Sequence, residues 1–265
     1  MICKTYDNLD LYYQIIGNVN AKETLIFLNG LTQSTDSWLL MTPYFKEKYR
    51  IVLMDFIFQG QSEKETEWRD FNKHAQDVKA LMEHELILKA HVIGISYGSL
   101  VAQHFAVEYP THLNKLVLIS TFAHKTPYYE AIELGWWRAL ELGGYSLLLD
   151  IMLPNVLSES YFSNPLIPID KLKNGRKDLN LNSEAIFKLM RATKERKDYR
   201  KQLTKIKAQS LIIQGEHDTL FPVHLAEEVQ ENIKDSKLVV IRNAGHTLNL
   251  EHVLEVSETI LKFLN

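Results

Sequence analysis

Two hydrophobic patterns alternate along the chain. Residues 11–16, 24–28, 49–54, 90–95, 116–120, 210–215 and 237–241 are nearly unbroken apolar runs, and each predicts a buried strand. Residues 71–86 instead place Ala75, Val78, Leu81 and Met82 at three-to-four spacing, which predicts a helix. Residues 36–45 offer a short helix capped by Ser34 or Asp36, and helical segments come after the last two strands. Strands apolar on both faces and alternating with helices imply a parallel sheet covered on both sides, joined by right-handed crossovers. In such sheets reactive residues gather at the carboxyl ends of the strands. Between residues 122 and 207 the strand rhythm stops. Residues 128–150 read as an apolar helix, and Pro154, Pro165 and Pro168 predict a break of the chain beyond it into short pieces. This stretch reads as a cap over the reactive face.

Composition narrows the class. With 265 residues, 46% hydrophobic and 24% charged, the chain suits one α/β domain with an insertion, or at most two domains. A net charge of −3 argues against a dedicated nucleic-acid binder. The single cysteine, Cys3, excludes an internal disulfide and a multi-cysteine metal site. Lys4, Asp7 and Asp10 interrupt residues 1–16, so no signal-peptide core is expected there. No apolar run approaches the roughly 20 residues of a membrane helix. The expectation is a soluble, cytoplasmic protein. His, Asp and Glu show no metal-ligand spacing and no glycine-rich phosphate loop follows a strand, so no metal and no cofactor is expected.

The chemistry-bearing stretch is Gly94-Ile95-Ser96-Tyr97-Gly98, between a strand and an amphipathic helix. It fits the G-x-S-x-G nucleophile elbow, whose glycines let strand and helix approach closely around an exposed hydroxyl. Alone it is also an ordinary glycine-serine turn. An elbow serine needs a base and an orienting acid. Asp218, in Gly215-Glu216-His217-Asp218, and His246, in Asn243-Ala244-Gly245-His246, each follow a strand. Their order is Ser96, Asp218, His246, as the elbow requires. The bland alternatives are that Asp218 caps the helix begun by Phe221-Pro222 and that Gly245-His246 is only a turn. His91, His104 and His217 read as structural.

These blocks, with Gly245-His246-Thr247-Leu248-Asn249-Leu250-Glu251-His252, resemble the esterase, lactonase and C–C hydrolase branch of the α/β-hydrolase superfamily over nearly the whole chain. The resemblance implies an α/β-hydrolase fold: a mostly parallel eight-stranded sheet with helices on both faces. It places a helical cap (123–207) after the sixth strand of a core made of residues 1–122 and 208–265. It also implies an oxyanion hole from the backbone N–H groups of Leu31 and Tyr97. Serine rather than aspartate at position 96 argues against epoxide hydrolase and dehalogenase chemistry. Asn29 stands where the superfamily usually has histidine, and Phe58 where it often has glycine. Asn29-Gly30, together with the block from Asp55 to Ser62, is also similar to synthases that join hydroxyacyl chains delivered on acyl carrier protein.

The cap is rich in large apolar residues, and Trp136 and Trp137 are candidates to line a pocket for an apolar acyl or aryl group. Residues 171–207 hold thirteen Lys or Arg against four Asp or Glu, a net of +9. Such charge usually marks a solvated face; the sharper reading is a docking patch for an anionic partner such as acyl carrier protein. The expected function is a serine hydrolase cleaving a small-molecule ester or thioester through an acyl-enzyme. The alternatives are acyl transfer to a hydroxyacyl chain, or a small-molecule receptor on the same fold.

Overall fold

The computed structural model describes residues 1–174 and 182–265. Eight strands form one sheet: β1 (Ile2–Lys4), β2 (Asp10–Gly17), β3 (Thr24–Leu28), β4 (Arg50–Met54), β5 (Ala90–Ile95), β6 (Leu113–Ile119), β7 (Gln209–Gly215) and β8 (Ser236–Ile241). Their spatial order is β1-β2-β4-β3-β5-β6-β7-β8. The first two pairings, β1 with β2 and β2 with β4, are antiparallel, and all others are parallel. The mostly parallel α/β architecture expected from the apolar runs is therefore present. β1 has no apolar run to announce it, being three residues long at the sheet edge with only its middle residue buried.

Alternation along each strand divides the core between two layers. Ile26, Leu28, Val52, Met54, Val92, Leu116 and Ile212 face one layer. Leu25, Phe27, Ile51, Leu53, Ile93, Val117 and Ile213 face the other. Both faces are dry, which is why the strands read as continuous apolar runs. On the first face lie α1 (Phe71–His84) and α2 (Tyr97–Glu108). Asp70 starts α1 by accepting the Lys73 N–H at 2.8 Å.

The structure corrects two sequence expectations. The helix expected over residues 36–45 is a pair of 3₁₀ turns, Thr35–Trp38 and Thr42–Tyr44. Pro43 cannot donate to the Leu39 carbonyl, which accepts the Thr42 hydroxyl instead at 3.3 Å. The break expected at Pro154 is absent: α3 (Pro127–Val156) runs past it, and Leu157 N–H closes its last turn on Leu153 O at 3.0 Å. The interruption of α3 is at Gly144, whose φ of 64° and ψ of −159° divide it into two helical legs.

α3 opens the insertion between β6 and β7, which continues with α4 (Glu159–Ser163), α5 (Ile169–Asn174), α6 (Ser183–Glu195) and α7 (Arg200–Leu203). α6 buries Ile186, Leu189 and Met190 on one stripe, and these belong to the same apolar cluster as Trp136, Leu148 and Met152 of α3. Burying each such side chain stabilises by about 1.5–3 kcal/mol relative to exposure, an upper estimate. The helices are thereby fixed over the carboxyl ends of the strands. The chain closes with α8 (Val223–Asn232), α9 (Leu248–Glu251) and α10 (Val253–Leu264). Among the described residues no helix is long and apolar enough to cross a membrane.

Candidate active site

Ser96 occupies the single residue between β5 and α2, with φ 51° and ψ −117°. That conformation costs an L-residue about 1–3 kcal/mol, so its surroundings must enforce it. Ser96 N–H is held by Ile119 O at 2.9 Å, and Ser99 Oγ donates to Ser96 O at 2.6 Å. The flanking glycines are required. A Cβ on Gly94 would stand 2.3 Å from Gly98 O, and one on Gly98 would stand 2.2 Å from Leu28 O. The half-buried Ser96 thus stands at the sheet's carboxyl edge.

Asp218 and His246 come from the turns after β7 and β8. His246 Nδ1 and Asp218 Oδ2 are 2.8 Å apart and both side chains are buried. Asp218 Oδ1 accepts the N–H groups of Leu220 (2.9 Å) and Phe221 (2.8 Å). Asp218 thus braces its own turn with one oxygen and meets His246 with the other; it does not cap the helix that follows, whose N-cap is Pro222 and carries no side-chain cap. The turns can touch because Gly215 has no Cβ; one would meet Gly245 O at 2.0 Å. Phe221 packs edge-on to the imidazole at 5.0 Å.

Three supporting groups carry no sequence signal of their own. Gln214, fully buried on β7, donates from Nε2 to Asp218 Oδ2 and to Phe221 O, both at 2.7 Å. Ser120, in the left-handed region at φ 51°, donates its hydroxyl to His246 O at 2.7 Å. Glu251 accepts from the backbone on both sides of His246, at Gly245 N (3.1 Å) and Thr247 N (3.2 Å).

The loop after β3 faces Ser96 across the same cavity. Asn29 is fully buried, donating to Met54 O (2.7 Å) and Gln59 Oε1 (3.2 Å) and accepting from Trp38 Nε1 (2.8 Å). Gln59 Nε2 donates to Gly30 O (2.8 Å) and Leu31 O (3.1 Å). Asn29 and Gln59 thus brace the loop that carries Gly30 and Leu31. Tyr97 N–H, at the first position of α2, has no intrahelical acceptor. The Asp55–Ser62 block also has a structural role. Asp55 accepts from Thr35 N (2.7 Å) and Gln61 N (3.0 Å), while burial pushes its carboxyl above the ordinary range. Phe58 has φ 82°, which explains why glycine suits that position.

Ser96 and His246 line one cavity of about 60 Å³ with Gly30, Leu31 and Leu220. Its roof is α3, through Trp136, Leu149, Met152 and Val156, and no Lys, Arg, Asp or Glu lines it among the described residues. Of the two tryptophans expected at the pocket, Trp136 is there, with Nε1 donating to Asn155 Oδ1 at 3.2 Å. Trp137 packs instead on Phe187 at 4.9 Å, because neighbouring helical positions point about 100° apart. A larger cavity of about 250 Å³ adjoins, sharing Thr32, Gln33, Leu172, Thr247 and Leu250 and adding Ser34, Asp36, Ser37 and Lys171.

Among the described residues of the basic segment 171–207, several charges are buried or paired. Arg196 is buried against Phe71, Phe122 and Tyr199, donating to Gln103 Oε1 (2.6 Å) and Ala123 O (3.1 Å). Burial brings its guanidinium down to about 9. Arg200 pairs with Asp198 and Glu228, Lys173 with Asp150 and Lys188 with Glu184. Arg176 and Lys177 lie outside the described residues.

The strand order, the insertion after β6 and the serine elbow are those of an α/β hydrolase, and the α/β-hydrolase fold family model matches residues 23–253. The chain belongs to that family. It is 26% identical to a 2-hydroxy-6-oxononadienedioate/2-hydroxy-6-oxononatrienedioate hydrolase from Escherichia coli O81, over 91% of this chain and 87% of that one. Among solved structures it is similar to MGS-M2, an α/β hydrolase from a deep-sea metagenome library of the Medee basin. That match has a TM-score of 0.90 and 29% identity, covering 100% of this chain and 97% of that one. An enol-lactonase from Burkholderia xenovorans LB400 shares the fold with a TM-score of 0.89 at 21% identity, covering 100% and 99%.

Proposed function

We propose that this protein is a serine hydrolase for carboxylic esters with short apolar acyl groups. The observation that carries the reading is the His246 Nδ1–Asp218 Oδ2 hydrogen bond, with Ser96 and His246 lining one cavity. In this reaction Ser96 Oγ attacks the ester carbonyl and His246 Nε2 takes its proton. Asp218 fixes the imidazole tautomer and stabilises the imidazolium. The Leu31 and Tyr97 amides stabilise the oxyanion. His246 returns the proton to the leaving alcohol, and water activated by His246 then releases the acid and frees Ser96.

The cavity supports a substrate class. Its walls are apolar and, at about 60 Å³, it holds roughly four to six water-sized positions, which suits a short acyl chain. The adjoining cavity, with its hydroxyl and amide groups, takes the alcohol portion. The Escherichia coli relative's named substrate is a dioate, and two carboxylates call for cationic side chains in the pocket. The cavity around Ser96 offers none among the described residues, and the adjoining one offers Lys171 alone with Asp36 in the same lining, so ester cleavage is favoured over C–C cleavage of such a dianion. The test is turnover of p-nitrophenyl esters from acetate to dodecanoate beside a dienedioate ring-fission substrate. The reading expects the highest kcat/KM at two to about four acyl carbons and no cleavage of the dianion. Preferred cleavage of the dianion would overturn it.

A further inference from the structure

One carboxylate joins the turn carrying His246 to the helical insertion. Glu251 Oε2 accepts both Gly245 N (3.1 Å) and Ser158 N (3.0 Å), and its Oε1 accepts Thr247 N (3.2 Å). Gly245 and Thr247 are the two neighbours of His246, whereas Ser158 starts α4 in the insertion. The same two segments meet again where Thr247 donates its N–H (3.1 Å) and its hydroxyl (2.8 Å) to Val156 O, at the end of α3. A further bond runs from Ser160 Oγ to Asn243 O at 3.1 Å. Gly245 is required for the arrangement, because a Cβ there would stand 2.6 Å from Ser158 N and 2.8 Å from Glu251 Oε1.

The carboxylate is an acceptor-only group facing three backbone donors, a match that neither an amide nor a hydroxyl reproduces. Two of those donors bracket the imidazole-bearing residue. The third belongs to the chain just beyond the cavity roof, where Val156 and Leu157 line the cavity beside Ser96. The position of the histidine backbone and the closure of the roof therefore share one anchor.

We propose that Glu251 is a positioning residue: its carboxylate sets His246 toward Ser96 and makes that setting depend on the docked end of α3. The proposal rests on the serine-hydrolase reading. A base displaced by as little as about 1 Å costs up to roughly a hundredfold in rate while substrate binding survives. Removing the carboxylate thus acts on kcat rather than KM.

The test compares wild type with Glu251→Gln, Thr247→Val, Ser96→Ala and His246→Ala on p-nitrophenyl butyrate. Serine sites are counted by end-point labelling with a fluorophosphonate, and the labelling rate is recorded. In Glu251→Gln one amide N–H must face a backbone N–H. It should lower kcat per labelled site and the labelling rate constant about 10- to 100-fold, with KM within about threefold of wild type. Thr247→Val keeps the backbone bonds and loses only the hydroxyl bond to Val156 O, so a fall under about fivefold is expected. A purely structural glutamate would lower the melting temperature and the number of labelled sites while leaving kcat per site unchanged. That result, with Ser96→Ala and His246→Ala inactive, overturns the proposal alone. Full turnover by Ser96→Ala overturns the hydrolase reading, and the proposal with it.

Discussion

Gln214 and Asp218 lie on either side of the turn after β7, and Gln214 Nε2 donates at 2.7 Å to the carboxylate oxygen that also pairs with His246. The amide has no freedom to do otherwise, since its Oε1 accepts Thr121 N at 3.3 Å and its Nε2 also holds Phe221 O. Gln214→Leu strips a donor from Asp218 and leaves buried backbone groups unpaired, each costing about 1–3 kcal/mol. The expected outcome is a roughly tenfold lower kcat on p-nitrophenyl butyrate with KM unchanged, in a protein of reduced melting temperature. Steady-state kinetics on the folded variant check this; an unchanged kcat would show that the aspartate is held by its backbone donors alone.

Asn29 holds the loop carrying Leu31 through Met54 O, Gln59 and Trp38. Asn29→Leu cannot pair with any of them, and at least a tenfold loss of kcat/KM is expected. Asn29→His can both donate and accept, so it should stay within about fivefold of wild type. Equal activity of the leucine variant would separate the loop's hydrogen bonds from its function.

Met152 is a buried wall residue of the cavity on the second leg of α3. Met152→Ala opens that wall, and the preferred acyl chain should lengthen by about two carbons. Stability should fall by about 2–5 kcal/mol, measured by urea denaturation. A chain-length profile that does not move would place the acyl group elsewhere.

His74 is fully buried on α1, and neither ring nitrogen has a hydrogen-bond partner among the described residues. Burial, helped by the Arg69 guanidinium, pushes it down to about 3 from an ordinary value of 6.5. The unfolded chain therefore binds a proton below about pH 6.5 that the folded chain refuses until near pH 3. The stability linked to His74 is complete above pH 6.5 and is lost as pH falls through that window. Asp77, 3.8 Å away and raised to about 7 by its own burial, titrates in the opposite sense. The difference between wild type and His74→Leu isolates the histidine. The variant should gain stability relative to wild type as pH drops from 6.5 toward 4, by urea denaturation at each pH; parallel curves would contradict this.

The parts of the molecule legible from its residues are those governed by local chemistry. Short apolar runs that alternate with helical segments, such as Thr24–Leu28, read as buried strands, and Gly94 and Gly98 flank a serine because nothing larger fits. Ser96, Asp218 and His246 can be singled out because each follows such a strand. Gln214, Ser120 and Glu251 cannot, since a buried amide, hydroxyl or carboxylate reads like any surface one. The Ser120–His246 contact, for example, spans 126 positions of sequence. Trp137 and Arg196 are misread for a related reason. Composition marks a segment as apolar or basic, but only packing decides that Trp137 meets Phe187 and that Arg196 turns inward to Gln103.

The central claim is that a substrate acyl group passes through a covalent bond to Ser96. Acid-quenching the enzyme within its first turnovers of p-nitrophenyl butyrate, with peptide mass spectrometry of the quenched protein, tests this directly. One butyryl group is expected on the peptide containing Ser96, absent from Ser96→Ala. Ester hydrolysis proceeding at full rate with no acylated serine at any quench time, or an acyl group on another residue, would contradict it.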